Sequence, residues 1–261
     1  MRTTLIALFV TIVGGSLLLY IEYCWFGHDC PISWPTAGEN KEPENKPVSE
    51  TSDDQSSPQT LEPLTFKINY LYHAKGEDDF QPLGNDSVLY AGDRYKLIFE
   101  PTENSYVYIF RIDSGDKISR LFPAVKLKGA AKVNKNPVQK GFTYFVPTEH
   151  KWFKLKKLSG TETIYFVATQ QPDATLEGQY QLMLAEQKAR SPEERLAARQ
   201  EWDTAMESRG FAPALVAAET ETVPITWKEK KFFQNQQFSV VPQYLKGMCN
   251  GCVHIVSFQH R

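Results

Sequence analysis

Beyond Pro63 the apolar residues recur with a period of two. Phe66, Ile68, Tyr70 and Tyr72 alternate with Thr65, Lys67 and Asn69, and Tyr95, Leu97 and Phe99 alternate with Arg94, Lys96 and Glu100. A pleated strand sends successive side chains to opposite faces, so these are half-buried strands with one greasy and one polar side. Tyr106 to Ile112 (YVYIFRI) is almost wholly apolar or aromatic, which fits a central strand covered on both faces, and Asp113-Ser114-Gly115-Asp116 supplies the turn into Ile118 to Phe122. Further strands are predicted over 142–146, 152–155, 163–169, 238–241 and 253–258. Short strands separated by turn residues predict a mainly β fold, an antiparallel β-sandwich of the Ig-like kind.

One interruption is helical, over about residues 173–209. Leu176, Tyr180, Met183, Leu184 and Gln187 recur at helical spacing, and Ser191-Pro192-Glu193-Glu194 restarts the pattern with an N-cap, a first-turn proline and a capping-box glutamate. The second helix stops at Gly210. Its stripe of Ala198, Trp202, Ala205 and Met206 is narrow, so the pair is expected on the sandwich surface, packed onto the domain's own sheet; a helix face for a partner is the alternative.

The amino-terminal part belongs to a different regime. Thr3 to Ile21 contains no charged residue and is rich in Leu, Ile, Val and Phe. At 1.5 Å per residue it would extend roughly 28 Å, close to the hydrocarbon thickness of a bilayer. Residues 1–30 are therefore expected to be a signal-anchor transmembrane segment, with a cleaved signal peptide as the alternative. Tyr20 to Trp25 offers no pair of small residues for a cleavage site. Arg2 precedes the stretch while Glu22 and Asp29 follow it, which orients the rest of the chain outward. The expected location is a bacterial inner membrane, single-pass, with the C-terminal domain in the periplasm.

Residues 31–63 carry six of the 16 prolines and seven acids against two lysines. Such a stretch buries too little apolar surface to offset chain entropy and is expected to be a disordered linker. Residues 64–261 then form the sandwich domain. The net charge of −2 over the whole chain removes a globally basic nucleic-acid binder as the default reading.

Several ordered motifs lie between Asp86 and Pro172. They are Ala91-Gly92-Asp93, the aromatic strand Tyr106 to Ile112 ending in Asp113, Leu121-Phe122-Pro123, and Gly160-Thr161-Glu162 leading into Thr163 to Ala168. Together they resemble the bacterial domain-of-unknown-function family 4384. The resemblance implies a β-sandwich accessory module of the kind found in envelope proteins and beside protease, kinase or helical-repeat domains. It carries over no catalytic residue, and the insert Lys126 to Lys140 departs from the family pattern.

Cysteines come as two pairs. Cys249-Asn250-Gly251-Cys252 has redox-motif spacing, but Asn-Gly prescribes a tight turn and Val253 onward continues as a strand, whereas a reactive thiolate needs a helix N-terminus. The pair is expected to form a structural disulfide across a hairpin turn, with a thiol-disulfide oxidoreductase using Cys249 and Cys252 as the rival reading. Cys24 and Cys30 would close a small loop at the membrane surface or link two chains. A zinc site combining these cysteines with His28 and His254 lacks ligand spacing, so no metal and no cofactor is assigned.

From Lys117 to Lys157 there are eleven basic residues and a single acid, Glu149. Lys126, Lys128, Lys132, Lys135, Lys140, Lys154, Lys156 and Lys157 are the candidate anion-binding patch, suited to anionic lipid or a cell-wall polymer such as peptidoglycan. The same lysines also serve to block edge pairing and keep the surface soluble. With no nucleophile elbow, phosphate-cradling loop or zinc-protease helix in the sequence, the function read here is a non-enzymatic binding or adaptor module contacting an envelope protein or cell-wall component.

Overall fold

The computed structural model describes residues 62–124, 133–187, 191–218, 222–231 and 234–261. The expected span, nearly all of the linker, and Cys24, Cys30, Lys126, Lys128 and Lys132 lie outside the described residues. No helix among those described is long and apolar enough to cross a membrane.

The described part is mainly β. Its strands are β1 (Leu64–His73), β2 (Gln81–Pro82), β3 (Val88–Leu89), β4 (Arg94–Pro101), β5 (Tyr106–Ile112), β6 (Ile118–Phe122), β7 (Tyr144–Val146), β8 (Phe153–Lys154) and β9 (Gly160–Thr169). Helices α1 (Ala174–Gln187) and α2 (Pro192–Glu207) follow, then β10 (Ile225–Lys231), β11 (Gln234–Val240), β12 (Gln243–Met248) and β13 (Val253–His260). One sheet runs β12-β1-β4-β7, with β2 on β1 and β8 on β4; the other runs β3-β13-β9-β5-β6. Pairing is antiparallel except between β13 and β3, which are parallel and so depart from the all-antiparallel expectation.

The two sheets face each other across one core. Phe66, Ile68 and Tyr70 of β1 and Tyr95, Leu97 and Phe99 of β4 meet Ile109, Ile164 and Phe166 of the opposite sheet, as the period of two requires. Phe166 packs edge-on against Phe66 at 5.2 Å and Phe99 at 5.6 Å between ring centroids, tying the sheets together.

The outer face of the β5–β9 sheet is covered by the helices. Tyr108, Phe110, Ile112, Tyr165 and Val167 receive Leu176, Tyr180 and Met183 of α1 and Ala198, Trp202 and Met206 of α2. This is why YVYIFRI has almost no polar position. Helix α1 starts where Asp173 Oδ1 accepts the Leu176 amide at 2.8 Å, and the Ser191–Glu194 capping box starts α2. The pair packs onto its own sheet, as its stripe predicts.

On the outer face of the β1–β4 sheet the alternation misleads. Lys96 belongs to the polar set of β4, yet its side chain is fully buried. The hairpin β10–β11, of which the sequence reading had recognised only part of β11, lies over it with Ile225, Trp227 and Phe238, against Leu71 and Ile98. Lys96 Nζ donates to Glu229 Oε1 and to the Glu149 carbonyl, each at 2.6 Å, and sits 4.5 Å from the centre of the Trp152 ring. Both indole N–H groups, of Trp152 and Trp227, also donate to Glu229 Oε1 at 2.8 Å. Burial pulls the Lys96 pKa down, partly offset by Glu229. Glu229 is half-buried too, but Lys96 and the two indoles outweigh that and hold its carboxyl below the ordinary value, so the carboxylate is the member whose charge this site secures.

Candidate functional site

At one end of the two facing sheets three of the turn motifs, those at Asp93, Asp113 and Gly160, come together. Ala91-Gly92-Asp93 is a brace: the buried Asp93 carboxylate accepts the amides of Lys75 at 2.7 Å and Tyr90 at 2.8 Å, while Asp93 O accepts the Leu155 amide just after β8 at 2.9 Å. The turn after β5 is organised by Asp113, whose Oδ1 accepts the amides of Gly115 and Lys117, each at 3.0 Å. Gly160 opens β9 against this turn at φ +143°, and a Cβ there would stand 2.8 Å from Ser114 Cβ. Only glycine permits that approach.

Because Gly160 lets β9 lie so close, Glu162 two residues on reaches Ser114, accepting from its amide and its hydroxyl at 3.4 Å each. Glu162 is buried, and so is His260, which the β13–β9 register sets opposite Gly160. Glu162 lies between two bases, with Arg111 Nε at 3.6 Å and His260 Nδ1 at 3.5 Å. Neither contact makes a hydrogen bond, so Arg111 Nε, Glu162 Oε2 and both ring nitrogens of His260 have no hydrogen-bond partner.

Arg111 is held from its other side. Nη1 donates to the Tyr95 hydroxyl at 3.1 Å and Nη2 to Asp113 Oδ2 at 3.5 Å. Burial disfavours the guanidinium charge, but Tyr95, Glu162 and Asp113 more than offset this and its pKa lies above the ordinary arginine value. The Tyr95 phenol, fully inside the core, is pushed up to about 12 by burial.

Arg111, Asp113, Ser114, Glu162 and His260 line a pocket of about 110 Å³, walled also by Lys154, Leu155, Lys156 and Leu158. Charges of both signs brought together from β5, β9, β13 and the segment after β8 are costly to bury, and such clusters mark functional sites more often than random positions do. The cluster was missed from sequence, although a signal was present: Arg111 and Glu162 are the charged residues within otherwise apolar strands, and a charge in a strand covered on both faces requires a partner.

Residues 88–172 match the model of the family described as Domain of unknown function (DUF4384). The match covers about a third of the chain. No curated protein and no solved structure matches the chain. The DUF4384 stretch extends from β3 to just past β9, so β1, β12 and β13, which complete both sheets, come from outside it. Arg111, Asp113 and Glu162 of the pocket lie within the DUF4384 stretch and His260 beyond it.

The anticipated lysine patch is divided. Lys135, Lys140, Lys154, Lys156 and Lys157 are all exposed. Lys154 pairs with Arg94 at the start of β4, whereas the Lys140 amide bonds Asn104 beyond the far end of that strand. Eight residues of strand, roughly 23 Å, separate the two groups. Lys154 and Lys156 line the pocket; Lys157 does not.

Cys249 and Cys252 occupy a tight turn, with the Cys252 amide donating to Cys249 O at 3.1 Å and their Cα atoms 5.3 Å apart. The turn is not a hairpin. β12 pairs with β1 and β13 with β9, so Cys249-Asn250-Gly251-Cys252 carries the chain from one sheet to the other. The sequence reading took Asn-Gly as a hairpin signal; long-range pairing with β1 and β9 prevailed over that local preference. Strands flank the turn on both sides, and Cys252 is buried in the inter-sheet core.

Proposed function

We propose that this chain is a membrane-anchored, extracytoplasmic binding module, its sandwich read as Ig-like, that acts without catalysing a reaction and holds an envelope protein or cell-wall component through the pocket end of its sandwich. The observation that carries the reading is the convergence of Arg111, Asp113, Glu162 and His260 on one pocket whose wall also bears Lys154 and Lys156. Charged groups gathered this way cost folding free energy, and recognition of a charged partner is the return.

Anchoring in a bacterial inner membrane is supported by the uncharged stretch Thr3 to Ile21 and by the charges flanking it. The proline- and acid-rich segment after it would act as a leash, and an outward domain is a place where Cys249 and Cys252 persist as a structural disulfide. The strands flanking that pair favour a structural over a catalytic role for its sulfurs.

In-cell photocrosslinking tests the proposal. A crosslinking side chain at Leu158, on the pocket rim, is expected to capture a partner, while one at the exposed Phe142, at the opposite end, is not. A membrane-impermeant label should reach the carboxyl-terminal part in intact spheroplasts. Equal capture from both positions, or no labelling, defeats the reading.

A further inference from the structure

We infer that the pocket between the β5–β6 turn, the start of β9 and the end of β13 binds a monoanionic carboxylate carried on a small, partly apolar body. The inference rests on the binding-module reading and specifies its ligand.

The first argument is the balance of donors and acceptors. Asp113 Oδ1 is taken by two turn amides and Oδ2 by Arg111, and Glu162 Oε1 is taken by Ser114. The acceptors left are Glu162 Oε2 and one nitrogen of His260. The donors left are the ammonium groups of Lys154 and Lys156, neither of which makes an ion pair with a described residue, and behind them, unpartnered but buried, Arg111 Nε and the other His260 nitrogen. A wall richer in free donors than free acceptors is complementary to a ligand that supplies acceptors.

The second argument is charge. The lining holds three cations, Arg111, Lys154 and Lys156, against two carboxylates, Asp113 and Glu162. Outside the histidine, one positive charge remains. That matches a monoanion and falls short of a phosphate dianion.

The third argument is shape. A cavity of about 110 Å³ accommodates a group of several heavy atoms, and Leu155 and Leu158 give it an apolar side. Arg111 is already fixed by Tyr95, Asp113 and Glu162, so little side-chain entropy is lost when a ligand is bound.

The test is titration of the purified full chain, followed by NMR shifts and calorimetry, with three probes. N-acetylglycine is a monoanion with a short body, N-acetylglycinamide its uncharged counterpart, and inorganic phosphate the competing anion. N-acetylglycine should bind, its amide should not, and phosphate should bind more weakly. Lys154→Ala and Lys156→Ala alter exposed side chains and should keep the fold; each is expected to weaken N-acetylglycine at least about threefold, the effect of a part-exposed ion pair. Lys157→Ala, one residue away but off the lining, should change nothing. Absence of N-acetylglycine binding, equal binding of acid and amide, tighter binding of phosphate, or insensitivity to both lysine substitutions overturns the inference. Leu158 crosslinks that persist in any of those cases would show the ligand class to be wrong and the binding module to be right; their loss would fall on the module itself.

Discussion

Lys96 Nζ lies 2.6 Å from Glu229 Oε1 although the two residues are 133 positions apart, and Trp152 and Trp227 donate their indole N–H groups to the same carboxylate. This pairing fastens the β10–β11 hairpin to the outer face of the sandwich. Removing one partner of a buried pair leaves the other charge uncompensated, whereas replacing both by apolar groups is often neutral.

Glu229→Ala is therefore expected to destabilise the protein by about 3–5 kcal/mol, while Lys96→Met combined with Glu229→Leu stays within about 1 kcal/mol of the parent. Denaturant unfolding followed by tryptophan fluorescence measures both, since Trp152 and Trp227 report on the box. The depressed Glu229 pKa means that its contribution is complete above the ordinary carboxylate range and fades as pH falls through the folded-state value. A Glu229→Ala cost under about 1 kcal/mol would show that the pair does not hold the hairpin.

His254 makes acid stability a second measurable. Burial lowers its pKa from the ordinary 6.5 to about 4, and its Nδ1 lies 3.1 Å from the Tyr70 hydroxyl. The unfolded chain binds a proton that the folded chain refuses, so stability is full above pH 6.5 and falls as pH drops toward 4. The loss from this group is on the order of 3 kcal/mol at most. His254→Phe should flatten the stability profile between those pH values. An unchanged slope would mean that the imidazole is not held neutral by the fold.

Trp202 anchors α2, with its ring 5.0 Å from Phe110 and 6.1 Å from Tyr165, and its indole N–H has no hydrogen-bond partner. Trp202→Ala should cost about 3–5 kcal/mol through the cavity it leaves. Trp202→Phe should cost far less, because it keeps an aromatic against Phe110 and removes an unsatisfied donor. Thermal unfolding of the two variants decides; equal losses would mean that the indole nitrogen is in fact paired.

If Cys249 and Cys252 act as a staple, reducing them or changing both to Ser should lower stability by about 2 kcal/mol, the value for so short a loop. N-acetylglycine binding in the distant pocket should not change. The reduction potential is expected to be strongly negative; a potential in the range of oxidoreductase motifs would revive the redox reading.

Much of the fold can be read locally. Phe66, Ile68 and Tyr70 face the core as their spacing demands, and Tyr106–Ile112 is sandwiched between the core and the helices. Ser191 to Glu194 begins α2 as its capping signature indicates. By contrast Ile225–Lys231, with Lys228, Lys230 and Lys231 among its seven residues, gives little sign of a strand, and Gln243–Met248 is short and polar. β10 becomes a strand by pairing with its hairpin neighbour β11 and packing over Leu71 and Ile98, and β12 by pairing with the distant β1.

The pocket follows the same division. Gly92, Asp93, Asp113 and Gly160 are visible as turn-forming motifs, because the chemistry of a tight turn is local. That Arg111, Glu162 and His260 meet was not visible, since it requires β9 to pair with β5 on one side and β13 on the other. A shift of one residue in either ladder would send the set to the opposite face.

The order of amino acids by itself determined the core-facing alternation of β1 and β4, the covered strand β5, the start of α2 and the turns at Asp93, Asp113 and Gly160, since these depend on neighbours a few residues away. Only the tertiary structure decided that Lys96 lies under a hairpin and that His260 stands beside Glu162. Burial and long-range pairing are set by strand register and layer packing, and those are properties of the whole domain rather than of any stretch within it.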